Sequence, residues 1–399
     1  MCLKVFTRFT ALLALFIFTG KLLAHPMPNS LVFIRIHEDK LAIRLELPIQ
    51  EFELAYGRAL SQNDAVVDEN KSGINQYILQ HIRITSNQND WSIQLKDLYI
   101  DSSTNKLNGT YKELIVYLEA APGNLRDLRK FVLSYDVIIH QVVTHFAIIK
   151  IIQDFNNGIT SENPVEIGVI ELDRESNTIK TIQINIDEGS VWTGFKKMLL
   201  LGMHHIKEGT DHLLFLLVLL LIAPLTVSKN QWNGSESFTY SLKRIIKIVT
   251  AFTLGHSLTL LLIAFIPVTF TRLIEISIAI TIFISAFHAY KPIFYNKEVI
   301  FTFLFGLIHG MAFASSLNQL ELTTHLKLIS VFGFNIGIEI MQLGIITLFL
   351  PLLYLSKFSF YKYIRIAGSF ITMIASIAWL MERLTGSANV VTRVIEHIT

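Results

Sequence analysis

The sequence predicts an exported all-β, sandwich-like domain followed by an all-α membrane bundle of about six spans, and three observations predict it. Hydrophobic residues make up 51% of the 399 and charged ones only 17%, against roughly 25% charged in an ordinary soluble domain. Apolar residues alternate with polar ones in parts of the first half and run nearly unbroken in the second, the marks of half-buried strands and of membrane helices. The chain also opens on a segment built like a secretory signal. A net charge of +2 without a Lys/Arg-rich block argues against a nucleic-acid partner.

In residues 1–24, Lys4 and Arg8 precede the apolar run 10–19, and Leu22-Leu23-Ala24 offers a small residue for cleavage before His25. The mature chain would then begin at His25, whose amino group and ring could chelate one ion. Cys2, the only cysteine, would leave with the signal, so no disulfide or thiolate ligand is expected. An uncleaved anchor is the competing reading, but its apolar core is short for a span.

Residues 25–190 read as a periplasmic β-domain. Val32, Ile34 and Ile36 alternate with Phe33, Arg35 and His37, and Leu41, Ile43, Leu45 and Leu47 alternate with Ala42, Arg44 and Glu46, with Asp39-Lys40 as the turn. Further strand-like runs cover 114–118, 131–139, 146–152 and 165–172, with polar separators such as 101–108. His37, His81, His140 and His145 are scattered along this region and read as ordinary surface or core residues.

Residues 191–385 read as the membrane domain, with apolar stretches at 198–225, 245–266, 273–290, 299–317, 328–355 and 364–381 and a short tail at 386–399. Each is near the ~20 residues needed to cross a bilayer. The first is long enough to tilt or break, and Gly209 is its natural break point. With an exported amino-terminal domain, the loops after spans one, three and five are cytoplasmic. These carry Lys229, Lys243, Arg244 and Lys247, then Lys291 and Lys297, then Lys357, Lys362 and Arg365; the opposite side carries Arg272, Lys327, Arg383 and Arg393. That asymmetry favours the same topology, although Lys196 and Lys197 run against it. The expected location is the bacterial inner membrane.

The chemistry concentrates where hydrocarbon can least tolerate it. His204, His205, Glu208, Asp211 and His212 run straight into the first apolar segment, and a charge near the bilayer centre costs on the order of 3 kcal/mol. His256 in the second span, His309 in the fourth, and Asn335 and Glu339 in the fifth also fall near mid-membrane by position. Glycines beside His256, His309 and Glu339 would let helices approach closely. In a straight helix His205 and His212 share a face but are separated by about 10 Å of rise, too far for two nitrogens each ~2 Å from one ion. Either Gly209 breaks the helix, or the two are successive stations on a path. Glu208 with His212, or His204 with Glu208, can share an ion at i and i+4. Imidazole with carboxylate suits Ni, Co or Zn better than Cu(I).

His205, the Asp211-His212 pair, His256-Ser257, His309-Gly310 and the segment from Phe334-Asn335 to Glu339 resemble the HupE/UreJ family of hydrogenase- and urease-associated nickel or cobalt permeases. The likeness covers roughly residues 191–384, and the exported opening from His25 with its β-domain is similar to the family's longer branch. The resemblance implies a metal path lined by His205, Asp211, His212 and His309. One departure is that shorter members carry Phe-His-Gly-x-Ala-x-Glu, whereas here Ile308 precedes His309 and Ala314 replaces the glutamate. That removes a carboxylate from the fourth span, and whether Glu339 substitutes is open.

The expected function is therefore a permease for a divalent transition metal, nickel or cobalt first, with no tightly bound cofactor. Its partners would be the ion, the bilayer and a periplasmic protein on the β-domain. Two other classes compete. One is an intramembrane zinc hydrolase with Asp211 or Glu339 as base and a bound water attacking a lipid amide or ester; the other is a periplasmic metal receptor or scaffold. Structural hydrogen bonding is the plainer reading for each buried polar residue. Glu275 is expected to pair with Arg272 at the outer face, His288 to lie at the inner face, and His204 to orient its neighbour.

Overall fold

The computed structural model describes residues 28–60, 64–105, 109–123, 127–263, 271–318 and 322–387. The expected signal sequence, His25 and most of the expected tail lie outside these residues. The described chain divides into two units, one running to Ile152 and including Thr160–Asp187, the other comprising Gln153–Ile159 and the residues from Glu188 onward.

In the first unit, strict alternation produces strands where the sequence predicts them. β1 (Ser30–Ile36) and β2 (Leu41–Pro48) pair antiparallel, Leu31 opposite Glu46 through Ile36 opposite Leu41. Val32, Ile34, Ile36, Leu41, Ile43, Leu45 and Leu47 are all buried on the same side of the pleat. The domain is β-rich but not all-β. α1 (Ile49–Tyr56) follows Pro48 and ends at Gly57, which takes a left-handed conformation and donates its N–H to the Glu53 carbonyl. α2 (Asp64–His81) runs next. The sequence hides α2 because its buried apolar residues, Val67, Ile74 and Ile78 among them, are spaced widely through polar ones.

Then come β3 (Ile82–Ser86), β4 (Asn89–Asp90), β5 (Ser92–Asn105), β6 (Gly109–Ala121), β7 (Lys130–Tyr135), β8 (Phe146–Asp154), β9 (Val165–Asp173), β10 (Thr178–Ile179) and β11 (Ile182–Asn185). They form a seven-stranded sheet ordered β10-β9-β8-β1-β2-β6-β5 and a four-stranded sheet ordered β11-β7-β3-β4. Two details correct the sequence reading. The polar stretch from Asp101 is strand, paired with Glu113 and its neighbours to the end of β5, because pairing with β6 needs no apolar face there. The apolar run from Phe131 leaves strand after Tyr135, and Val137, Ile138 and Ile139 are buried within a turn instead. His145 is a fully buried network residue, with Ser30 Oγ 2.7 Å from its Nε2 and Glu51 at its Nδ1.

The second unit is helical: α3 (Val191–Glu208), α4 (Thr210–Ile222), α5 (Phe238–Ile263), α6 (Thr271–Tyr290), α7 (Glu298–Asn318), α8 (Thr324–Leu355) and α9 (Tyr361–Thr385), with a small hairpin of β12 (Thr226–Ser228) and β13 (Gln231–Asn233) after α4. Among the described residues, four helices, α5, α6, α8 and α9, are long and apolar enough to cross a membrane. α4 and the apolar part of α7, Glu298–Phe313, are shorter. The first apolar stretch is two helices meeting at Gly209.

Glycines set the tightest helix pairs. A Cβ on Gly202 would stand 2.0 Å from the Phe334 carbonyl oxygen, and one on Gly337 equally close to that of Leu199, so α3 and α8 meet backbone to backbone. Gly255 against Phe303, Gly306 against Phe252 and Gly310 against His256 do the same for α5 and α7, at 2.2 to 2.4 Å. Buried cations close helix ends. Arg365 donates to the Ala289 and Tyr290 carbonyls at the end of α6, and Arg244 bonds Glu298 at 2.5 Å and the Leu225 carbonyl at 2.7 Å. His288 is fully buried, stacked on Phe294, and its Nδ1 accepts the backbone N–H groups of Ile293 and Phe294. It shapes a turn and is not a surface residue.

Candidate metal centre

Gly209 has φ −72° and ψ 90°, which ends α3 and restarts the helix at Thr210. A side chain there would collide: its Cβ would lie 2.7 Å from the His205 carbonyl oxygen and 2.8 Å from His212 Nδ1. The break brings the His205 and His212 ring centroids to 4.8 Å, where an unbroken helix would hold them about 10 Å apart along its axis. The alternative of two well-separated stations on a straight helix is therefore excluded by the backbone.

Hydrogen bonds fix which ring nitrogens are free. Asp211 Oδ1 accepts from His212 Nδ1 at 2.9 Å, which makes Nε2 the lone-pair nitrogen of the neutral ring, and that atom is buried without a partner among the described residues. On α6 the Thr281 hydroxyl donates to the Ile278 carbonyl at 2.7 Å, so His309 Nε2 donates to Thr281 Oγ1 at 3.0 Å. That leaves the buried Nδ1 of His309 unpartnered, whereas the fully buried His256 has the Asn335 side chain as its hydrogen-bonding neighbour. One ligand atom each from His205, His212 and His256 lies within 4.8 Å of the others, and so does one each from Asp211, His212 and His309. His212 belongs to both groups, and α3, α4, α5 and α7 all contribute.

Phenyl rings wall the cluster. Phe313 and Phe334 stack at 3.9 Å, each 5.4 Å from the His205 ring, while Phe252 and Phe215 lie 5.1 and 5.7 Å from His309. Such walls exclude water and strengthen any charge interaction inside. On the Asp211 side a cavity of about 330 Å³ is lined by Glu208, Asp211, Glu275 and Arg383 together with Ile278, Ile282, Ala312 and Trp379. Glu275 pairs there with Arg383 at 2.8 Å. The expected Arg272 partner instead donates to the Arg383 and Leu384 carbonyls at the end of α9.

Three sequence candidates stand outside both ligand groups. His204 and Glu208 pair with each other at 2.9 Å with most of both side chains exposed, although Glu208 also lines the cavity. Glu339 Oε1 accepts from the Thr250 hydroxyl at 3.1 Å, and its buried Oε2 has no partner. Sequence reasoning missed Thr281, which sets the tautomer of His309, and the aromatic wall; a hydroxyl or a phenylalanine inside an apolar helix carries no sign of what it will face.

The apolar helices and a buried imidazole–carboxylate cluster define a helical membrane protein built around polar side chains. The HupE/UreJ protein family profile matches residues 180–383, just over half of the chain, and the chain belongs to that family. No curated protein matches the sequence.

Proposed function

We propose that this protein is a permease for a divalent transition-metal ion, nickel or cobalt first, and that His205, Asp211, His212, His256 and His309 hold the ion in transit as substrate. The observation that carries the reading is the pair of unpartnered ring nitrogens, Nε2 of His212 and Nδ1 of His309, buried within one group of ligand atoms with Asp211. Leaving such groups unsatisfied costs about 1–3 kcal/mol each, and a cation passing among them supplies the missing partner. Family membership supports the same class. Acidic Glu208, Glu275 and Asp211 at the cavity favour entry of a cation, and neutral imidazoles with one carboxylate suit nickel, cobalt or zinc.

In this reading α3 and α4 make one broken crossing and α7 another, which with α5, α6, α8 and α9 gives six spans in the inner membrane. The β-rich unit, a sandwich of its two sheets, lies in the periplasm after cleavage at Ala24. Glu339, Glu208 and His204 serve as further stations. The test is accumulation of radioactive nickel or cobalt by cells: Asp211→Ala and His212→Ala lose it at unchanged membrane abundance.

One observation also favours a hydrolase. The bend at Gly209 brings His205 close to His212, and His205, His212 and His256, or Asp211, His212 and His309, are groups able to retain zinc and activate a water. Normal accumulation in both variants, with about one zinc per purified chain and cleavage of a lipid amide, would replace transport by this reading.

A further inference from the structure

Outside the helical unit, the described residues bring together a second set of metal-ligating side chains that the sequence disperses. His81 ends α2, Asp136 follows β7, and His140 lies one turn further on. Three backbone constraints pin them. Ile82 pairs with Tyr135 across β3 and β7, Asp136 N–H donates to the His81 carbonyl at 3.1 Å, and His140 N–H donates to the Asp136 carbonyl at 3.3 Å. Tyr77, one turn before His81 on α2, donates its hydroxyl to the Val137 carbonyl at 2.7 Å and ties the helix to the same turn. Burial, aided by the Asp136 charge, raises the pKa of that hydroxyl, so it stays a donor.

We propose that His81 and His140, held by Asp136, form a binding site for one divalent transition-metal ion in the β-rich unit. The hydrogen bonds select the tautomers. A carbonyl only accepts, so His140 Nδ1, 2.7 Å from the Asp136 carbonyl oxygen, carries its proton. His81 Nδ1 lies 2.8 Å from Asp136 Oδ1 and donates likewise. One aspartate thus fixes both imidazoles through one nitrogen each, which makes Nε2 the lone-pair nitrogen of each ring; that of His140 lies 3.4 Å from the Tyr77 hydroxyl, whose proton goes to the Val137 carbonyl at 2.7 Å. Carboxylate or carbonyl behind the ring is the arrangement that orients metal-binding histidines and raises their basicity.

One ligand atom from each of the three residues lies within 4.8 Å of the others. The rings stack at 4.2 Å and 14°, so their lone pairs lie in nearly parallel planes, and binding one ion requires the rings to turn so that both Nε2 atoms face it. His81, Asp136 and His140 are all part-exposed, which leaves room for that rotation and for water to complete the coordination. Two imidazoles and oxygen ligands suit zinc, nickel, cobalt or copper(II) over magnesium or calcium. The site requires neither the transport reading nor any ligand of the helical unit.

The test uses the full-length protein in detergent, stripped with a chelator and titrated with cobalt(II) or zinc chloride. His212→Ala serves as background, so that loss of the helical centre does not confuse the count. One equivalent should bind there, and adding His81→Gln and His140→Gln should weaken it at least tenfold. A second measurement needs no substitution: stoichiometric zinc should protect His81 and His140 of the wild-type protein from diethyl pyrocarbonate, mapped by mass spectrometry. Unchanged metal binding in the variants, or full modification of both histidines with zinc present, overturns the proposal.

Discussion

The two histidine–aspartate clusters use the same side chains in opposite settings. In the β-rich unit, His81 and His140 stack beside a part-exposed carboxylate, and their Nδ1 protons have acceptors close by. In the helical unit, His212 and His309 lie beside phenyl rings, and each keeps one buried ring nitrogen without a partner among the described residues. Water can solvate the first cluster throughout, whereas in the second only the Asp211 side borders a cavity, and His212, His256 and His309 are buried. The difference teaches that the bland reading, a satisfied structural network, is tenable for the exposed cluster and costly for the buried one. Charge or lone pairs are kept in an apolar interior when something else arrives to neutralise them.

The comparison breaks most sharply by deleting one cluster at a time. Asp211→Ala or His212→Ala should reduce cellular nickel or cobalt accumulation to background, a drop of tenfold or more, whereas His81→Gln with His140→Gln should leave accumulation near wild type at saturating metal. Immunoblotting of membranes controls for abundance. Equal losses from both pairs would mean that the two clusters act in one obligatory path.

Gly209→Ala should come next. A Cβ there strikes the His205 carbonyl oxygen and the His212 ring, so the backbone must shift and the two histidines part. Accumulation should fall about tenfold, as expected when some 1.4 kcal/mol of binding is lost. Full activity in this variant would mean that the bend is dispensable.

Gly310→Ala probes the scaffold under the buried cluster. Its Cβ would stand 2.4 Å from the His256 carbonyl oxygen, forcing α5 and α7 apart at a cost of about 1–3 kcal/mol. A lowered unfolding temperature in detergent, without loss of the metal equivalent assigned to His81 and His140, is the expected outcome.

The smallest effect should come from Arg383→Ala at the cavity. Arg383 and Glu275 are both part-exposed, and such pairs contribute roughly 0–1 kcal/mol. Freeing Glu275 makes the cavity more negative, so the apparent KM for uptake should fall less than about fivefold with the maximal rate retained.

Much of this was legible in the chain because burial writes itself as periodicity. The alternation of Val32, Ile34 and Ile36 against Leu41, Ile43 and Leu45 gave both strands and their shared buried face, and the rarity of Asp-His beside an apolar run singled out Asp211 and His212. Gly209 was readable as a break point, but its consequence was not, since ring separation depends on the ψ that the broken turn adopts. Tertiary pairings left less trace. His81 and His140 are far apart in sequence and meet only because β3 lies beside β7; Thr281 reaches His309 only because α6 packs on α7. α2 leaves little trace in the sequence because its buried apolar residues, Val67, Ile74 and Ile78 among them, are widely spaced in a mostly polar helix.

The central claim is that the bend at Gly209 lets His212 serve two adjoining ligand groups, one with His205 and His256 and one with Asp211 and His309, that hold a metal ion. Nickel-edge X-ray absorption on full-length, nickel-loaded protein carrying His81→Gln and His140→Gln tests it most directly, because the other proposed site is then removed. The account predicts at least two imidazole ligands with nitrogen at about 2 Å, and loss of that imidazole scattering when His212→Ala is added. A spectrum of water and carboxylate oxygens alone, identical with and without His212, would contradict it.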